Sequence, residues 1–299
     1  MVDSAARAGD DEERAREERE AASAFGHPAV APDRSAAYGG HPDQVIDFYA
    51  PRDAPRDGGT GVPLVVVLHG GAWRAPYDRS HVSPFADYLA RRGFAVASVE
   101  YRRGTPGGDG APVAGRWPET FDDVAAAMDA LPALAARELP QADVRRTVVT
   151  GHSAGGHLAL WAAARHVLPE DSPWRLSGPP DLRGVVALAP IGDFASSVEL
   201  DVCSGAVRQL LGGTELTAAR LAYADPAALL PTGIATTVVQ GVHDITVPYE
   251  VSEAFVAAAA KQGETVGLTL LDDAGHFPLI DPSTDACAVV AEEIAQLVW

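Results

Sequence analysis

Apolar residues along this chain fall into two recurring patterns. Short, largely apolar runs lie at residues 45–49, 64–68, 94–99, 185–189, 236–241 and 266–271. Several lack any alternation, as in Leu64-Val65-Val66-Val67-Leu68, which suits a strand buried on both faces of a parallel sheet. Between them, longer segments carry apolar residues at helical spacing. The segment 80–92 ends at Gly93, and a second runs from 119 to about 136 with Phe121, Val124, Ala125, Met128 and Leu131 on one face. Two more lie at 249–262 and 285–298, the latter with Ala288, Val289, Ile294, Leu297 and Val298 apolar. Strands alternating with helices predict an α/β fold with a mostly parallel central sheet flanked by helices.

Two stretches break the rhythm. Residues 1–24 mix acidic and basic side chains around Asp10 to Glu20 and offer no apolar stripe, which predicts a disordered or frayed-helical tail. The body is then a single domain over 25–299. Residues 190–232 hold Asp193-Phe194, Cys203, Leu210-Leu211-Gly212-Gly213 and Tyr223-Ala224-Asp225-Pro226, and read as a short cap over the sheet edge. Turns are expected at 51–61 and 104–115, both rich in Gly and Pro, the second near a pocket rim.

The chemistry concentrates in Val148-Val149-Thr150-Gly151-His152-Ser153-Ala154-Gly155-Gly156-His157-Leu158. A β-branched run ends at Gly151, a helical run starts after Ser153, and G-x-S-x-G lies between. A serine on a sharp strand-to-helix turn stands clear of the sheet, and the glycines remove side chains that would collide with strand and helix. A second candidate, His69-Gly70-Gly71-Ala72-Trp73, follows the strand at 64–68. Adjacent glycines there free backbone N–H groups to meet an oxyanion. Asp244 follows the strand at 236–241 and His276 follows the one at 266–271. Strand carboxyl ends share one sheet edge, and the order Ser, Asp, His is that of the α/β-hydrolase arrangement. The serine needs a base, His276, and the imidazole needs an orienting anion, Asp244. Asp193, also beyond a strand, is the rival acid. His152 and His157 flank the nucleophile as packing or surface histidines, with His152 also a pocket candidate, and His69 is read as holding its loop by hydrogen bonds.

Composition narrows the partners. A net charge of -18 over 299 residues offers no basic face for nucleic acid. No apolar run approaches membrane-spanning length, and the N-terminus lacks the apolar segment of a signal peptide, so a cytoplasmic location is expected. Cys203 and Cys287 have no metal-ligand spacing and are read as ordinary thiols, with one bridge between them left open. The expected partner is a small-molecule acyl substrate, with no cofactor and no metal; a homodimer and a partner for the 1–24 stretch are left open.

With H-G-G-x-W at 69–73, G-H-S-A-G-G at 151–156, Asp244 within 241–248 and Gly275-His276, the chain resembles α/β-hydrolases of the serine esterase type. Within them it looks like the kynurenine formamidase (arylformamidase) group. The resemblance spans about 45–298. It implies Ser153, Asp244 and His276 as the triad and the N–H groups of Gly71, Ala72 and Ala154 as the oxyanion hole. Related esterases usually carry a third glycine where this chain has Ala72. The function so implied is hydrolysis of N-formylkynurenine-like aryl formamides through an acyl-enzyme. A short-chain carboxylesterase, feruloyl- or acetyl-esterase-like proteins included, is the alternative, and a non-catalytic binding protein of the same fold a third. Trp73 is expected either to line the pocket, where it would narrow the acyl side or stack on an aromatic leaving group, or to face the core and anchor its loop.

Overall fold

The unbroken apolar runs are strands with both faces covered. In the computed structural model, which describes residues 2–52, 61–104 and 113–298, the strands are β1 (Arg34–Ala37), β2 (Val45–Tyr49), β3 (Val62–Leu68), β4 (Ala95–Val99), β5 (Ala142–His152), β6 (Gly184–Leu188), β7 (Thr236–Gly241) and β8 (Gly267–Leu271). They form one sheet in the order β1-β2-β4-β3-β5-β6-β7-β8. β1 and β2 pair antiparallel, as do β2 and β4, and the remaining pairs are parallel. The turn expected at 51–61 and the loop expected at 104–115 lie largely outside the described residues.

The helices are α1 (Val2–Gly26), α2 (Ser83–Arg91), α3 (Glu119–Glu138), α4 (Ala154–Ala163), α5 (Phe194–Glu199), α6 (Ala206–Leu210), α7 (Thr214–Ala224), α8 (Tyr249–Lys261) and α9 (Asp285–Val298). In β3, Leu64, Val66 and Leu68 face the core layer that also holds Phe121 and Val124 of α3, Leu158 of α4 and Phe255 of α8. Val65 and Val67 point the other way, to Phe85 and Leu89 of α2 and to Val290 and Ile294 of α9. A strand covered on both sides has no polar face to show, which is why the sequence does not alternate there. Each such fully buried Val or Leu contributes about 1.5–3 kcal/mol. α2 has a proline in its first turn, and Gly93, at φ 91°, follows its C-cap, the backbone that glycine adopts without strain.

Register decides where the loops meet. Leu68 pairs with Val99 and with Gly151, His152 with Leu188, and Gly241 with Leu271. The carboxyl ends of β3, β5, β6, β7 and β8 therefore lie along one edge. β5 begins earlier than its apolar run because Ala142 and Asp143 still pair with Val62 and Pro63, ahead of a register shift at Leu64. The 190–232 segment folds as α5, α6, α7 and a 3₁₀ turn at Pro226–Leu229. Among the described residues, no helix is long and apolar enough to cross a membrane.

The acidic N-terminal stretch differs from the tail expected of it. α1 lies against the body, with side chains of Glu13, Glu17, Glu20 and Ser23 bonded to loops beyond β7 and β8. An apolar stripe is what docks most helices; here carboxylates meeting N–H, hydroxyl and imidazole groups do that instead, so the apolar pattern gives no sign of it.

Candidate active site

Ser153 stands between β5 and α4 at φ 58° and ψ -119°. A non-glycine residue held there stores on the order of 1–3 kcal/mol of strain. Neighbours fix it: Ser153 N–H donates to the Leu188 carbonyl at 2.8 Å, and its own carbonyl accepts from His157 N–H at 3.1 Å. The glycines of the motif are dictated by space. A Cβ on Gly155 would lie 2.0 Å from the Leu68 carbonyl oxygen, and one on Gly151 would lie 2.3 Å from that of Gly155. Strand, turn and helix can approach this closely only without side chains.

His276 follows β8, and its Nδ1 donates to Asp244 Oδ2 at 2.6 Å with both groups buried. The tautomer is set by that acceptor, leaving Nε2 to exchange protons. Asp244 Oδ1 accepts from the N–H groups of Thr246 at 2.9 Å and Val247 at 2.7 Å. Its Oδ2 also accepts from Gln240 Nε2 at 3.0 Å, and Ser252 in α8 orients Gln240 by donating to its Oε1 at 2.7 Å. No sequence pattern marks Ser252, and the signal for Gln240 is a lone amide at the penultimate position of β7, four residues before Asp244. Ser153 and His276 line one cavity without a direct hydrogen bond between them, a looseness common before substrate tightens such pairs.

Gly71, Ala72 and Trp73 have φ values of 99°, 51° and 54°. This left-handed run turns the loop beyond β3 toward Ser153, and Arg74 N–H closes it on the Gly71 carbonyl at 2.9 Å. Among the described residues no acceptor takes the N–H of Gly71, Ala72 or Ala154. His69 anchors the loop from below the turn: Nδ1 meets the Gly70 carbonyl at 2.9 Å, Nε2 meets Glu100 Oε1 at 2.8 Å, and the ring stacks on Tyr101 at 4.2 Å. Burial alone would raise the Glu100 carboxyl, but His69, Arg103 and the Arg79 N–H overcome it and hold it at about 2.

Trp73 is not a pocket residue. Its ring is fully buried, packed edge-on against His157 at 5.1 Å and near Phe194 at 6.4 Å. With three positive φ values in a row the chain turns the indole inward, and its carbonyl ties down Gly104 and Gly115, each at 2.8 Å. Of the two expectations for Trp73, the core anchor is the one found. His152 does line the cavity, and its Nε2 donates to the His276 carbonyl at 2.9 Å. Burial, then the adjacent His276 ring, keeps its pKa well below the ordinary histidine value. It supports the backbone of the other histidine as a neutral donor. His157 is buried and bonded to the Ala224 carbonyl, its pKa lowered by burial to about 4. Asp193 is spent on capping α5 through Ser196 N–H at 2.7 Å.

The cavity holds about 270 Å³. Besides Ser153, His276, His152, Gly71 and Ala72, it has aromatic walls from Phe25, Tyr77, His81 and Phe277 and charges from Arg74 and Glu17. Cys203 reaches it from the 190–232 segment, whereas Cys287 is on the buried face of α9, and both are free thiols. Among the described residues no group of His, Cys, Asp and Glu is arranged to hold a metal ion.

Known proteins agree with this architecture. The BD-FAE family model matches residues 46–258, well over half of the chain. A probable isoprenylcysteine alpha-carbonyl methylesterase (ICME) of Oryza sativa subsp. japonica is 24% identical over 280 residues, which is 89% of this chain and 63% of that protein. The related ICMEL1 protein of the same plant is 26% identical over 286 residues, 89% of this chain and 62% of that one. The chain thus spans under two thirds of the length of both. Among solved structures, esterase B of Lactobacillus rhamnosis superposes with a TM-score of 0.70 at 20% identity, covering 99% of this chain and 96% of that one. A truncated carbohydrate esterase from gut microbiota gives 0.69 at 18% identity over 91% and 99%. The sheet order, the serine at the strand-to-helix turn and the family match lead to one conclusion: the chain belongs to the BD-FAE family and has the α/β-hydrolase fold.

Proposed function

We propose that this protein is a serine carboxylesterase acting on compact esters through an acyl-enzyme. The observation that carries the reading is the 2.6 Å Asp244–His276 hydrogen bond, set in the same cavity as a strained Ser153. Ser153 Oγ attacks the ester carbonyl carbon while His276 Nε2 takes its proton. The carbonyl oxygen, now negative, accepts from the N–H groups of Gly71, Ala72 and Ala154. His276 returns the proton to the departing alkoxide, the alcohol leaves, and an acyl-serine remains. Water, deprotonated by His276, then releases the acid and restores the hydroxyl. A cavity of about 270 Å³ is at the small end for ligand sites, which favours short acyl groups. The curated relatives named as methylesterases support an ester in preference to an amide.

The aryl formamide expectation loses one support: a Trp73 ring in the pocket would favour a formyl group on an aryl amine, and that ring is in the core. N-formylkynurenine therefore belongs in the test as the competitor. Purified protein should hydrolyse p-nitrophenyl acetate and butyrate and leave N-formylkynurenine nearly untouched; the opposite ranking would restore the formamidase reading. Ser153→Ala should lower kcat by about 10⁴–10⁶ and abolish labelling by a fluorophosphonate probe, with little change in melting. Near-normal turnover by that variant would remove Ser153 as nucleophile.

A further inference from the structure

α1 carries a polar stripe that the proposed chemistry does not yet use. Residues 13, 17, 20, 23 and 27 recur at steps of three and four, so the helix places them on one face, with His27 just past its end. That face runs along the two loops that bear the acid and the base. Glu13 Oε1 meets His243 Nδ1 at 2.9 Å, and Glu17 accepts from the Thr246 hydroxyl, so α1 grips the acid loop on both sides of Asp244. Glu20 Oε1 accepts the N–H of Gly275, next to His276, at 3.1 Å. Beyond it, Ser23 and His27 both bond Asp281. The fit at the base loop is close: a Cβ on Gly275 would lie 2.3 Å from Glu20 Oε2. The helix also reaches the cavity itself, since Glu17 and Phe25 line it and the Phe25 ring meets Phe277 edge-on at 5.2 Å.

We propose that α1 is a built part of the active site, with Glu17 and Glu20 as positioning residues that hold the acid and base loops at the separation the Asp244–His276 bond requires. This rests on the reading of those two residues as acid and base. The bond joins loops from separate strands, β7 and β8, and the strands pair only as far as Gly241 and Leu271. Beyond that point the loops are tied by a few contacts, the Val242 and His243 N–H bonds to the Leu271 and Ala274 carbonyls among them. A rigid helix bonded to both loops adds a third side to the frame. Misplacing a catalytic group by about 1 Å can cost about 10²-fold, so modest loosening should be visible in kcat.

The test uses the full chain and p-nitrophenyl acetate. Glu17→Ala/Glu20→Ala should lower kcat by about tenfold or more with KM within about twofold and melting nearly unchanged. Glu17→Gln/Glu20→Gln should recover most of the rate, because an amide oxygen still accepts from the Thr246 hydroxyl and the Gly275 N–H. Asp244→Ala is measured in parallel. If it stays active, the acid assignment beneath the proposal is wrong. If it is inactive while the double alanine variant keeps kcat within about twofold of wild type, the positioning role alone is overturned. Should the double variant not fold, Glu20→Ala against Glu20→Gln carries the same comparison, and equal kcat values there overturn the role as well.

Discussion

Asp244 and Asp193 looked alike as sequence, each an acid just past a buried strand. Their hydrogen bonds separate them. Asp244 has four donors on its two oxygens, His276 among them, whereas Asp193 closes the first turn of a short helix. Asp244→Asn should leave His276 without an acceptor for Nδ1–H and cost about 10⁴ in kcat. Asp193→Asn keeps a capping oxygen, and its kcat should stay within about tenfold of wild type, as a cap alters stability by about 1 kcal/mol or less. Steady-state rates of the two variants decide the matter, and the reverse order would move the acid to Asp193. The supports of Asp244 were harder to read. Gln240 and Ser252 act through one another from a strand and a helix twelve residues apart, and no local pattern marks a side-chain amide as oriented.

The strand-to-helix turn at Ser153 and the loop at 69–73 show how far an element can be inferred from its residues. G-x-S-x-G between a β-branched run and a helical run predicts its own geometry, because the glycines answer to close contacts of adjoining backbone. The direction of the Trp73 ring does not follow from H-G-G-x-W. It depends on the indole-sized space beside His157 and Phe194, which α4 and α5 supply from far along the chain. Trp73→Leu should therefore act on stability. Losing much of a buried indole approaches the about 3–5 kcal/mol of a Trp→Ala change. At roughly 2–4 °C per kcal/mol, melting should fall by about 5 °C or more. The ratio of acetate to butyrate hydrolysis should hardly move; a changed ratio at unchanged melting would return the ring to the pocket wall.

For the molecule as a whole, buried carboxyl groups set opposing pH trends. Against the upward pull of burial, His69 and Arg103 hold Glu100 at about 2, and hydrogen bonds from Ser23, Ser283 and His27 hold Asp281 there too. Their folded values lie below the unfolded ones, so what they contribute is present above the ordinary carboxylate range and lost as pH falls toward 2. Asp225 runs the other way. Burial first, then repulsion by Asp193, lifts it from 3.8 to about 7. The folded state keeps a proton that the unfolded chain releases, so stability declines as pH rises from about 4 through 7. Asp225→Asn keeps an oxygen for the Phe194 and Ala227 N–H groups and removes the charge. Calorimetry should show a gain in Tm over wild type that is larger at about pH 8 than at about pH 5. Equal gains, or a loss at the higher pH, would show that Asp225 is not held protonated.

What the sequence by itself determines is what short-range physics repeats. Unalternating apolar runs gave the buried parallel strands, helical spacing gave α2, α3, α8 and α9, and strand-end position brought Ser153, Asp244 and His276 to one edge. Short β1, with one buried residue in four, left too little pattern to find. The rest depended on which distant surfaces meet. Whether Trp73 faced substrate or core, whether Asp193 or Asp244 met the histidine, and whether the acidic N-terminal helix was solvated or bound were settled by packing across the fold. In α1 the reason is plainest: its stripe is polar, and a carboxylate facing water and one facing a backbone N–H are written with the same letter. Hydrophobic periodicity reports what must leave water, and hydrogen bonds between distant loops form only once that burial has brought them together.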